Sequence, residues 1–317
     1  MTTRIFIDGA AGTTGLEIRE RLAPRREITL VTLPDARRKD ETARKDALND
    51  ADIVILCLPD DAARAAVELI DNPMVRILDP SSAHRTMEGW TYGFPEMDKT
   101  QREAIHHATK VTNPGCYALS FVALIRPLTR AGLIPPDWPV TVNAVSGYSG
   151  GGHNMIAEFE NESAFNYTHT VFRTYALNLE HKHVEEMRVH GGLIHRPLFA
   201  PSVGRFYRGM LVDVPLQLWA LPGQPKVVQL HAALSDAYRG ETLVAVAPLA
   251  EAAALKTLDA EAMKNTNTIK LYVFGNESRQ QARLVAVVDN LGKGAAGSTV
   301  QNLNVMMGWP ETAGLTG

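Results

Sequence analysis

The sequence predicts a Rossmann-like α/β domain with a doubly wound parallel sheet, followed by an α+β domain with a mixed or antiparallel sheet. Near-continuous apolar runs alternate with helical stretches over roughly the first hundred residues, as in a parallel sheet covered on both faces. A glycine-rich turn follows the first of these runs. Beyond residue 140, longer strand-like runs follow one another with few helices between them, which is typical of antiparallel pairing.

Apolar runs bounded by turn residues predict the individual elements. In the first domain, the predicted strands are residues 4–8, 27–32, 52–56, 75–78 and 110–112, and the predicted helices are residues 12–22 and 60–70. In the second domain, the predicted strands are residues 140–146, 209–218, 268–274 and 283–288, and the predicted helices are residues 117–131 and 227–238. A Gly/Ala-rich stretch from Lys293 begins a last helix, which continues through residues 300–307. The architecture changes near Cys116 without a flexible linker.

Composition and charge exclude several classes of function. The 317 residues carry a formal net charge of -3 and no long basic run, so we expect no nucleic-acid partner. No apolar run approaches the roughly 18 residues of a membrane span, and the chain begins with a predicted strand rather than a signal peptide. The two cysteines, Cys57 and Cys116, cannot form a disulfide framework. These features together predict a cytoplasmic protein.

The turn after the first strand has the composition of a dinucleotide-binding loop. Gly9, Gly12 and Gly15 form a G-x-x-G-x-x-G pattern that opens the first helix, with Thr13 and Thr14 at the helix start. Small residues let the backbone approach a pyrophosphate, and the helix N-terminus offers N–H groups and a positive dipole end. An ordinary strand-to-helix turn can have the same pattern, so the loop alone does not identify a ligand.

The residues after the second strand bear on the choice between NADP and NAD. Asp35 stands where an acidic residue can contact the ribose hydroxyls of NAD. Arg37, Arg38 and Lys39 follow it and are suited to a 2′-phosphate, although such a cluster also occurs in solvated surface loops. We favour NADP and keep NAD as the alternative.

Cys116 is the candidate nucleophile. It follows a predicted strand and the turn Asn113-Pro114-Gly115, and it begins a predicted helix. A helix N-terminus lowers the pKa of a thiol, and the N–H groups of the first turn can bind an oxyanion. A lone cysteine is more often a core residue, but the turn and the Rossmann-like half favour catalysis here. Cys57 lies in an apolar run and is predicted to pack in the core.

Histidines supply the candidate base, because a thiol nucleophile usually has a base partner. His181 and His183 flank Lys182, and only one of the two is expected to reach the cysteine. A metal site formed by both histidines and Glu185 is not expected, because the spacing fits no common ligand pattern. The glycine-rich residues 147–152, which precede His153, are predicted to form a loop flexible enough to line the active site.

Together these motifs resemble the N-acetyl-γ-glutamyl-phosphate reductases, arginine-biosynthesis relatives of aspartate-semialdehyde dehydrogenase, and among them the shorter type. The resemblance runs nearly end to end. It rests on residues 9–15, 113–117, 146–152 and 181–185 and, most specifically, on the run Asp289-Asn290-Leu291-Gly292-Lys293-Gly294-Ala295-Ala296-Gly297.

The resemblance implies NADPH-dependent reduction of an N-acetylglutamyl acyl phosphate to the semialdehyde, with a thioester on Cys116 and release of phosphate. It implies that His183 is the acid/base, but Lys182 stands where the family has arginine, and His181 remains an alternative. It further implies a nucleotide-binding domain of residues 1–115, to which residues 293–317 return. Residues 116–292 would then form the catalytic and oligomerisation domain of a homodimer or homotetramer.

The motifs and the resemblance together predict two further sets of site residues. The cofactor-binding set is Gly9, Gly12, Thr13, Thr14, Gly15, Arg37, Ser81, Asn290 and Gly294. The substrate-binding set is Asn113, Ser146, Gly147 and Ser149. Two other interpretations stay open: the same chemistry on aspartyl phosphate or a carrier-linked aminoadipyl or glutamyl phosphate, and a non-catalytic NADP-binding regulator. The presence of Cys116 and His183 argues against the regulator.

Overall fold

A computed structural model of the chain describes residues 2–37 and 40–316, except for the side chain of Asp35. The strands are β1 (Thr3–Asp8), β2 (Ile28–Val31), β3 (Ile53–Leu56), β4 (Arg76–Asp79), β5 (Thr91–Tyr92), β6 (Lys110–Thr112), β7 (Thr141–Gly147), β8 (Phe172–Thr174), β9 (Leu198–Gly204), β10 (Met210–Gln217), β11 (Val244–Val246), β12 (Ile269–Asn276) and β13 (Gln281–Val288). The helices are α1 (Thr13–Leu22), α2 (Glu41–Asp50), α3 (Asp60–Glu68), α4 (Gln101–His107), α5 (Cys116–Arg130), α6 (Gly152–Glu160), α7 (Val184–Gly191), α8 (Val227–Ala237), α9 (Leu249–Ala254) and α10 (Gly297–Met307). The described residues divide into two compact units, one of residues 2–95, 100–114 and 295–316 and one of residues 96–99 and 115–294.

The first unit is a doubly wound parallel sheet, as predicted. Within the described residues its strands are ordered β2-β1-β3-β4-β6-β5, and every pair is parallel. Side chains of β1 alternate between two cores because successive residues of a strand point to opposite faces. Ile5 and Ile7 pack with α1, α4 and α10, whereas Phe6 packs with α2 and α3. The C-terminal helix α10 therefore belongs to the core of this unit.

The second unit is built on a mixed sheet, also as predicted. Its strands are ordered β11-β12-β13-β10-β7-β9-β8 in the described residues. β7 with β9 and β11 with β12 are parallel, and the remaining pairs are antiparallel. Helix α5 packs against this sheet and is buried along most of its length. The four strands predicted for this domain are confirmed to within about two residues, while β8, β9 and β11 were not predicted.

The glycine-rich residues 147–152 were expected to form a loop, but they lie in regular elements. Strand β7 ends at Gly147, a 3-10 turn follows at Tyr148–Gly151, and this turn leads directly into α6. The backbone N–H groups of Tyr148 and Ser149 donate to the carbonyl oxygens of Phe206 and Tyr207, so these bonds hold the turn against the β9–β10 connection.

Among the described residues, no helix has both the length and the apolar composition that a membrane span needs.

Candidate active site

The glycine turn after β1 brings backbone segments into close contact. Gly9 has a φ of +85°, and a Cβ there would lie 2.2 Å from the carbonyl oxygen of Cys57. A Cβ at Gly15 would lie 2.6 Å from the carbonyl oxygen of Gly9. These two positions require glycine for the fold itself. Gly12 differs, because its Cβ would meet only the Gly9 oxygen, at an ordinary 3.5 Å.

A cavity of about 360 Å³ opens at this turn. Its lining includes Gly9, the ends of β1 and β2, and the side chains of Arg19 and Arg44. No side chain caps α1, so the first-turn N–H groups are available to an anion. Thr13 adds a buried hydroxyl, which has no hydrogen-bond partner among the described residues. The turn, the uncapped helix and this hydroxyl fit a dinucleotide.

The cationic side chains that line this cavity, Arg19 and Arg44, are not the predicted ones. The guanidinium of Arg44 lies 2.7 Å from a carboxylate oxygen of Asp8, and Arg19 is exposed at the cavity wall. Arg37 is exposed and 4.0 Å from Asp40. The other two members of the predicted basic cluster, Arg38 and Lys39, lie outside the described residues, as does the Asp35 side chain. Arg19 and Arg44 were not predicted, because neither belongs to the segment that directly follows the second strand.

Ser81 lies at the end of β4, where it is bonded to a buried carboxylate. Its backbone N–H and its hydroxyl each donate to Asp79 at 2.8 Å. The ring of His84 shares the same carboxylate, at 2.5 Å, and stacks on Trp90. Ser81 therefore belongs to a buried polar cluster of the first unit, and its contact with a cofactor stays a prediction.

The side chain of Asn113 is likewise engaged inside the first unit. Its Nδ2 donates to the carbonyl oxygen of Ala295 at 3.2 Å, and its Oδ1 accepts from Asn302 at 2.9 Å. These bonds connect the end of β6 to the returning C-terminal segment. This structural role explains the residue without a substrate, and the predicted substrate contact remains untested.

Cys116 is the first residue of α5, as predicted. It is half-buried and its thiol is free of any disulfide. The helix has Gly115 as its N-cap and no capping side chain. The N–H of Gly115 instead donates to Oε1 of Glu186 at 2.8 Å, and Glu186 is 1% exposed. Glu186 was not predicted, because only its neighbour Glu185 belongs to the motif that contains His181 and His183.

Both candidate histidines lie beside the residue that follows the nucleophile. The rings of His181 and His183 are each centred 5.8 Å from the ring of Tyr117, and they are 4.7 Å from each other. His183 is buried and occupies the N-cap position of α7, although its side chain makes no capping hydrogen bond. Its backbone N–H donates to Nδ1 of His181 at 3.1 Å, so neutral His181 carries its proton on Nε2. The described residues contain no group of three ligands arranged for a metal ion.

Two tyrosines complete this cluster and were missed from the sequence. The hydroxyl of Tyr175 donates to that of Tyr117 at 3.0 Å, and Tyr117 donates to the carbonyl oxygen of Ser202 at 3.4 Å. Burial, with a smaller effect of the charge on Cys116, raises the pKa of Tyr175 to about 12 and the pKa of Tyr117 well above its usual value. Both phenols therefore stay protonated at neutral pH. Tyr117 could have been suspected from its position next to the cysteine.

The run that begins at Asp289 meets Cys116 through a glycine. A Cβ at Gly294 would lie 2.9 Å from Cβ of Cys116. Asn290 accepts from the N–H of Gly209 at 2.7 Å and donates to the hydroxyl of Ser149 at 2.9 Å. Asn290 thus joins two connections of the second unit. Its predicted cofactor contact, and that of Gly294, remain untested.

The predicted substrate residues of β7 are bonded within the second unit. The hydroxyl of Ser146 donates to the carbonyl oxygen of Gly147 at 3.0 Å. A Cβ at Gly147 would lie 2.6 Å from the carbonyl oxygen of Tyr207, so this glycine permits a close backbone approach. Ser149 is 1% exposed. Their contacts with a substrate stay predictions.

Comparisons with known proteins match both halves of the chain. The family model described as semialdehyde dehydrogenase, NAD binding domain, matches residues 4–108, and the semialdehyde dehydrogenase, dimerisation domain model matches residues 116–290. The fold is shared with aspartate semialdehyde dehydrogenase II of Vibrio cholerae (TM-score 0.69, 15% identity, 97% of this chain and 98% of that one). It is also shared with the NADP-bound aspartate semialdehyde dehydrogenase of Candida albicans (TM-score 0.65, 12% identity, 97% and 99% coverage).

Sequence relatives narrow the family. N-acetyl-gamma-glutamyl-phosphate reductase 2 of Nostoc sp. is 50% identical over 98% of this chain and 99% of its own length. N-acetyl-gamma-glutamyl-phosphate reductase of Brucella anthropi is 51% identical over 97% of this chain and 99% of its own. The chain therefore belongs to the N-acetyl-γ-glutamyl-phosphate reductase family of the semialdehyde dehydrogenases.

Proposed function

We propose that this chain reduces N-acetyl-γ-glutamyl phosphate to N-acetylglutamate 5-semialdehyde, with release of phosphate, in arginine biosynthesis. The observation that carries the proposal is Cys116 at the N-terminus of α5, where no side chain caps the helix, with the rings of His181 and His183 beside its neighbour Tyr117. The substrate is inferred from the names of the relatives that are 50% and 51% identical to this chain. The free thiols of Cys57 and Cys116 suit a reducing compartment, and a cytoplasmic location is part of the proposal.

Cys116 acts as the nucleophile in this proposal. The helix N-terminus stabilises its thiolate, which attacks the acyl carbon. The carbon–oxygen bond to the phosphate breaks, the phosphate leaves with the electron pair, and a thioester remains. N–H groups of the first turn of α5 stabilise the oxyanion of the tetrahedral intermediate. Glu186 fixes that turn by accepting from Gly115.

His183 moves the protons. Once the thioester carbon has been reduced, the oxygen of the thiohemiacetal takes a proton from His183. Collapse then returns the proton to the ring, breaks the carbon–sulfur bond and regenerates the Cys116 thiolate. We assign this role to His183 rather than to His181 because Nδ1 of His181 already accepts the His183 N–H. His181 is the alternative.

We propose NADPH as the reductant, bound at the glycine turn of the first unit. When bound it supplies the hydride. Gly12 leaves room for the phosphates, Thr13 offers its hydroxyl, and the cavity presents Arg19 and Arg44. Arg37 stays a predicted contact of the 2′-phosphate. The carboxylate of Asp8, which lines the cavity, is paired with Arg44. Because Asp8 is engaged in this way and Arg44 is a cation, the cavity suits the 2′-phosphate of NADPH better than the free ribose hydroxyl of NADH.

The test is the reverse reaction, followed with N-acetylglutamate semialdehyde, phosphate and either NADP or NAD. We expect phosphate-dependent reduction of NADP by the wild type and loss of at least about a thousandfold in Cys116→Ala. Cys57→Ala is the matched control. Its thiol is buried, which raises its pKa, and it should retain activity. Aspartate semialdehyde, offered in competition, distinguishes the alternative substrate class. Wild-type rate in Cys116→Ala would overturn the proposal.

We also propose a homodimer or homotetramer formed through residues 116–292. The second unit matches a model described as a dimerisation domain. Large apolar side chains are exposed on one segment of it. They are Phe165, Val171, Phe172, Leu177 and Leu179, with relative exposures of 57% or more. A cluster of this kind is typical of a protein interface, and a second copy of the chain is the occupant we assign to it.

A further inference from the structure

Lys293 and Glu96 form an ion pair in the interior of the second unit. Nζ of Lys293 lies 2.6 Å from Oε1 of Glu96, and the two side chains are 1% and 0% exposed. Removing two such charges from water costs several kcal/mol per ion, so a buried pair is often no more stable than apolar side chains of similar volume. Stability alone is therefore a weak explanation for this pair.

The backbone on both sides of Lys293 is tightly packed. A Cβ at the preceding Gly292 would lie 2.2 Å from the carbonyl oxygen of Thr266. A Cβ at the following Gly294 would lie 2.9 Å from Cβ of Cys116. These residues belong to a π-helical turn, Gly292–Ala296. This geometry is rare in proteins overall, and where it occurs it is often at a functional site. Any shift of this turn therefore changes what packs on the nucleophile.

The start of the turn has its own anchor. One carboxylate oxygen of Asp289 accepts from the N–H groups of Leu291 and Gly292, at 2.9 and 3.0 Å. The carbonyl oxygen of Asp289 accepts from the N–H of Gly294 at 2.9 Å. Lys293 adds a second anchor on the side chain of Glu96, which comes from a distant part of the sequence. The ion pair thus fixes the middle of a turn whose start is already held.

We propose that Lys293 and Glu96 are positioning residues for Cys116. The ion pair holds the π-helical turn so that Gly294 packs on Cβ of Cys116, which keeps the thiol at the N-terminus of α5. The inference rests on the proposed role of Cys116 as the nucleophile. It does not depend on which acyl phosphate the enzyme accepts, because thiol reactivity can be measured without any substrate.

The experiment measures the alkylation rate of Cys116 by iodoacetamide as a function of pH, read from the Cys116 peptide by mass spectrometry. The variants are Lys293→Met, Glu96→Gln and the double variant with both changes. Asp213→Asn is the control, because it removes a partly exposed ion pair with Arg283 in the same unit. Thermal unfolding is followed in parallel, since each single change leaves a buried charge alone and can destabilise the fold.

We expect the double variant to recover most of the thermal stability that the single changes lose. We also expect its Cys116 to react roughly three- to tenfold more slowly than wild type at pH 7, with the midpoint of the pH profile shifted upward, because the thiolate loses part of its stabilisation by the helix N-terminus. A double variant with the wild-type rate and midpoint would overturn the proposal. So would a double variant that fails to fold, since the pair would then serve folding itself.

Discussion

The two histidines of the site have different environments, which predicts unequal effects of their replacement. Nδ1 of His181 accepts the backbone N–H of His183, a role that an asparagine oxygen two residues before the donor can also fill. We therefore expect His181→Asn to keep activity within about fivefold. His183→Asn should lose at least about a hundredfold, the scale of general acid–base catalysis. Steady-state rates of both variants in the reverse reaction provide the measurement.

The comparison also tests the assignment of the acid/base. Circular dichroism and thermal unfolding serve as controls, because His183 is buried at the N-terminus of α7. A His181→Asn variant that is the more damaged of the two would transfer the role to His181. Equal losses in both would indicate that they act as one unit.

At this scale the sequence predicted that Cys116 begins a helix, but it did not predict the residues around it. Cys116 could be predicted because its signal is local: a turn, a helix start and a thiol. Glu186 could not, because it reaches Gly115 across 71 residues of sequence. Tyr175 is similar, since its hydroxyl contacts Tyr117 from a segment with no motif of its own. Contacts of this kind depend on how helices and strands pack, which no local pattern encodes.

At the scale of the elements, the glycines of the β1–α1 turn have two different roles: Gly15 is needed for the fold, and Gly12 is proposed to leave room for the cofactor. Gly15→Ala should destabilise the protein by about 1–3 kcal/mol, because its Cβ would lie 2.6 Å from the Gly9 oxygen. Gly12→Ala should leave stability nearly unchanged, because its nearest contact would be 3.5 Å, and yet weaken binding of NADPH by blocking the approach of the phosphates. Urea unfolding and NADPH titration by fluorescence measure the two effects. Unchanged NADPH affinity in Gly12→Ala would contradict the assigned site.

The ion pair between Glu158 of α6 and Arg173 of β8 should make the stability of the fold depend on pH. Glu158 forms two hydrogen bonds with Arg173, and these lower the pKa of the Glu158 carboxyl from its usual 4.5. A lowered pKa in the folded state means that the ionised pair stabilises the fold above about pH 4.5, and that this contribution is lost as the pH falls through the folded-state value.

Glu158→Gln should therefore be about 1 kcal/mol less stable than wild type at pH 7, and the difference should shrink below pH 4.5. Urea unfolding at several pH values measures it. The exposed Glu162, changed to Gln, is the matched control and should have little effect at any pH. A Glu158→Gln deficit that does not change with pH would show that the ion pair is not its cause.

The elements that were not predicted share weak local signals. Strand β9 contains Pro201 and ends at Gly204, both of which are unfavourable in strands, and it forms because β7 and β8 pair with it on either side. Helix α2 was missed because few of its residues are apolar, with Ala43, Ala47 and Leu48 as its buried positions. By contrast, β1 to β4 follow mostly apolar runs and were predicted to within a residue, as was β6, whereas the two-residue strand β5 was not predicted.

At the scale of the whole molecule, the doubly wound sheet is the reason for predicting a cofactor site at the glycine turn. In such sheets, ligands bind at the carboxyl ends of the strands, and the glycine turn follows the carboxyl end of β1. No comparable rule predicts from sequence where subunits associate, because an interface depends on which side chains remain exposed after folding. Phe165 and Leu177 are 108% and 80% exposed, whereas nothing in the surrounding sequence distinguishes them from core residues.

The proposed interface predicts that Phe165→Ser combined with Leu177→Ser will weaken self-association. Each side chain buries apolar surface worth about 1.5–3 kcal/mol, so the pair should raise the dissociation constant at least on the order of a hundredfold. Sedimentation equilibrium at micromolar concentration measures it: the wild type should exceed the 34.7 kDa of one chain at least twofold, and the variant should approach 34.7 kDa. Met74→Ser, at a position in the first unit that is 80% exposed, is the matched control and should assemble normally. A double variant that keeps the wild-type mass would show that another surface joins the subunits.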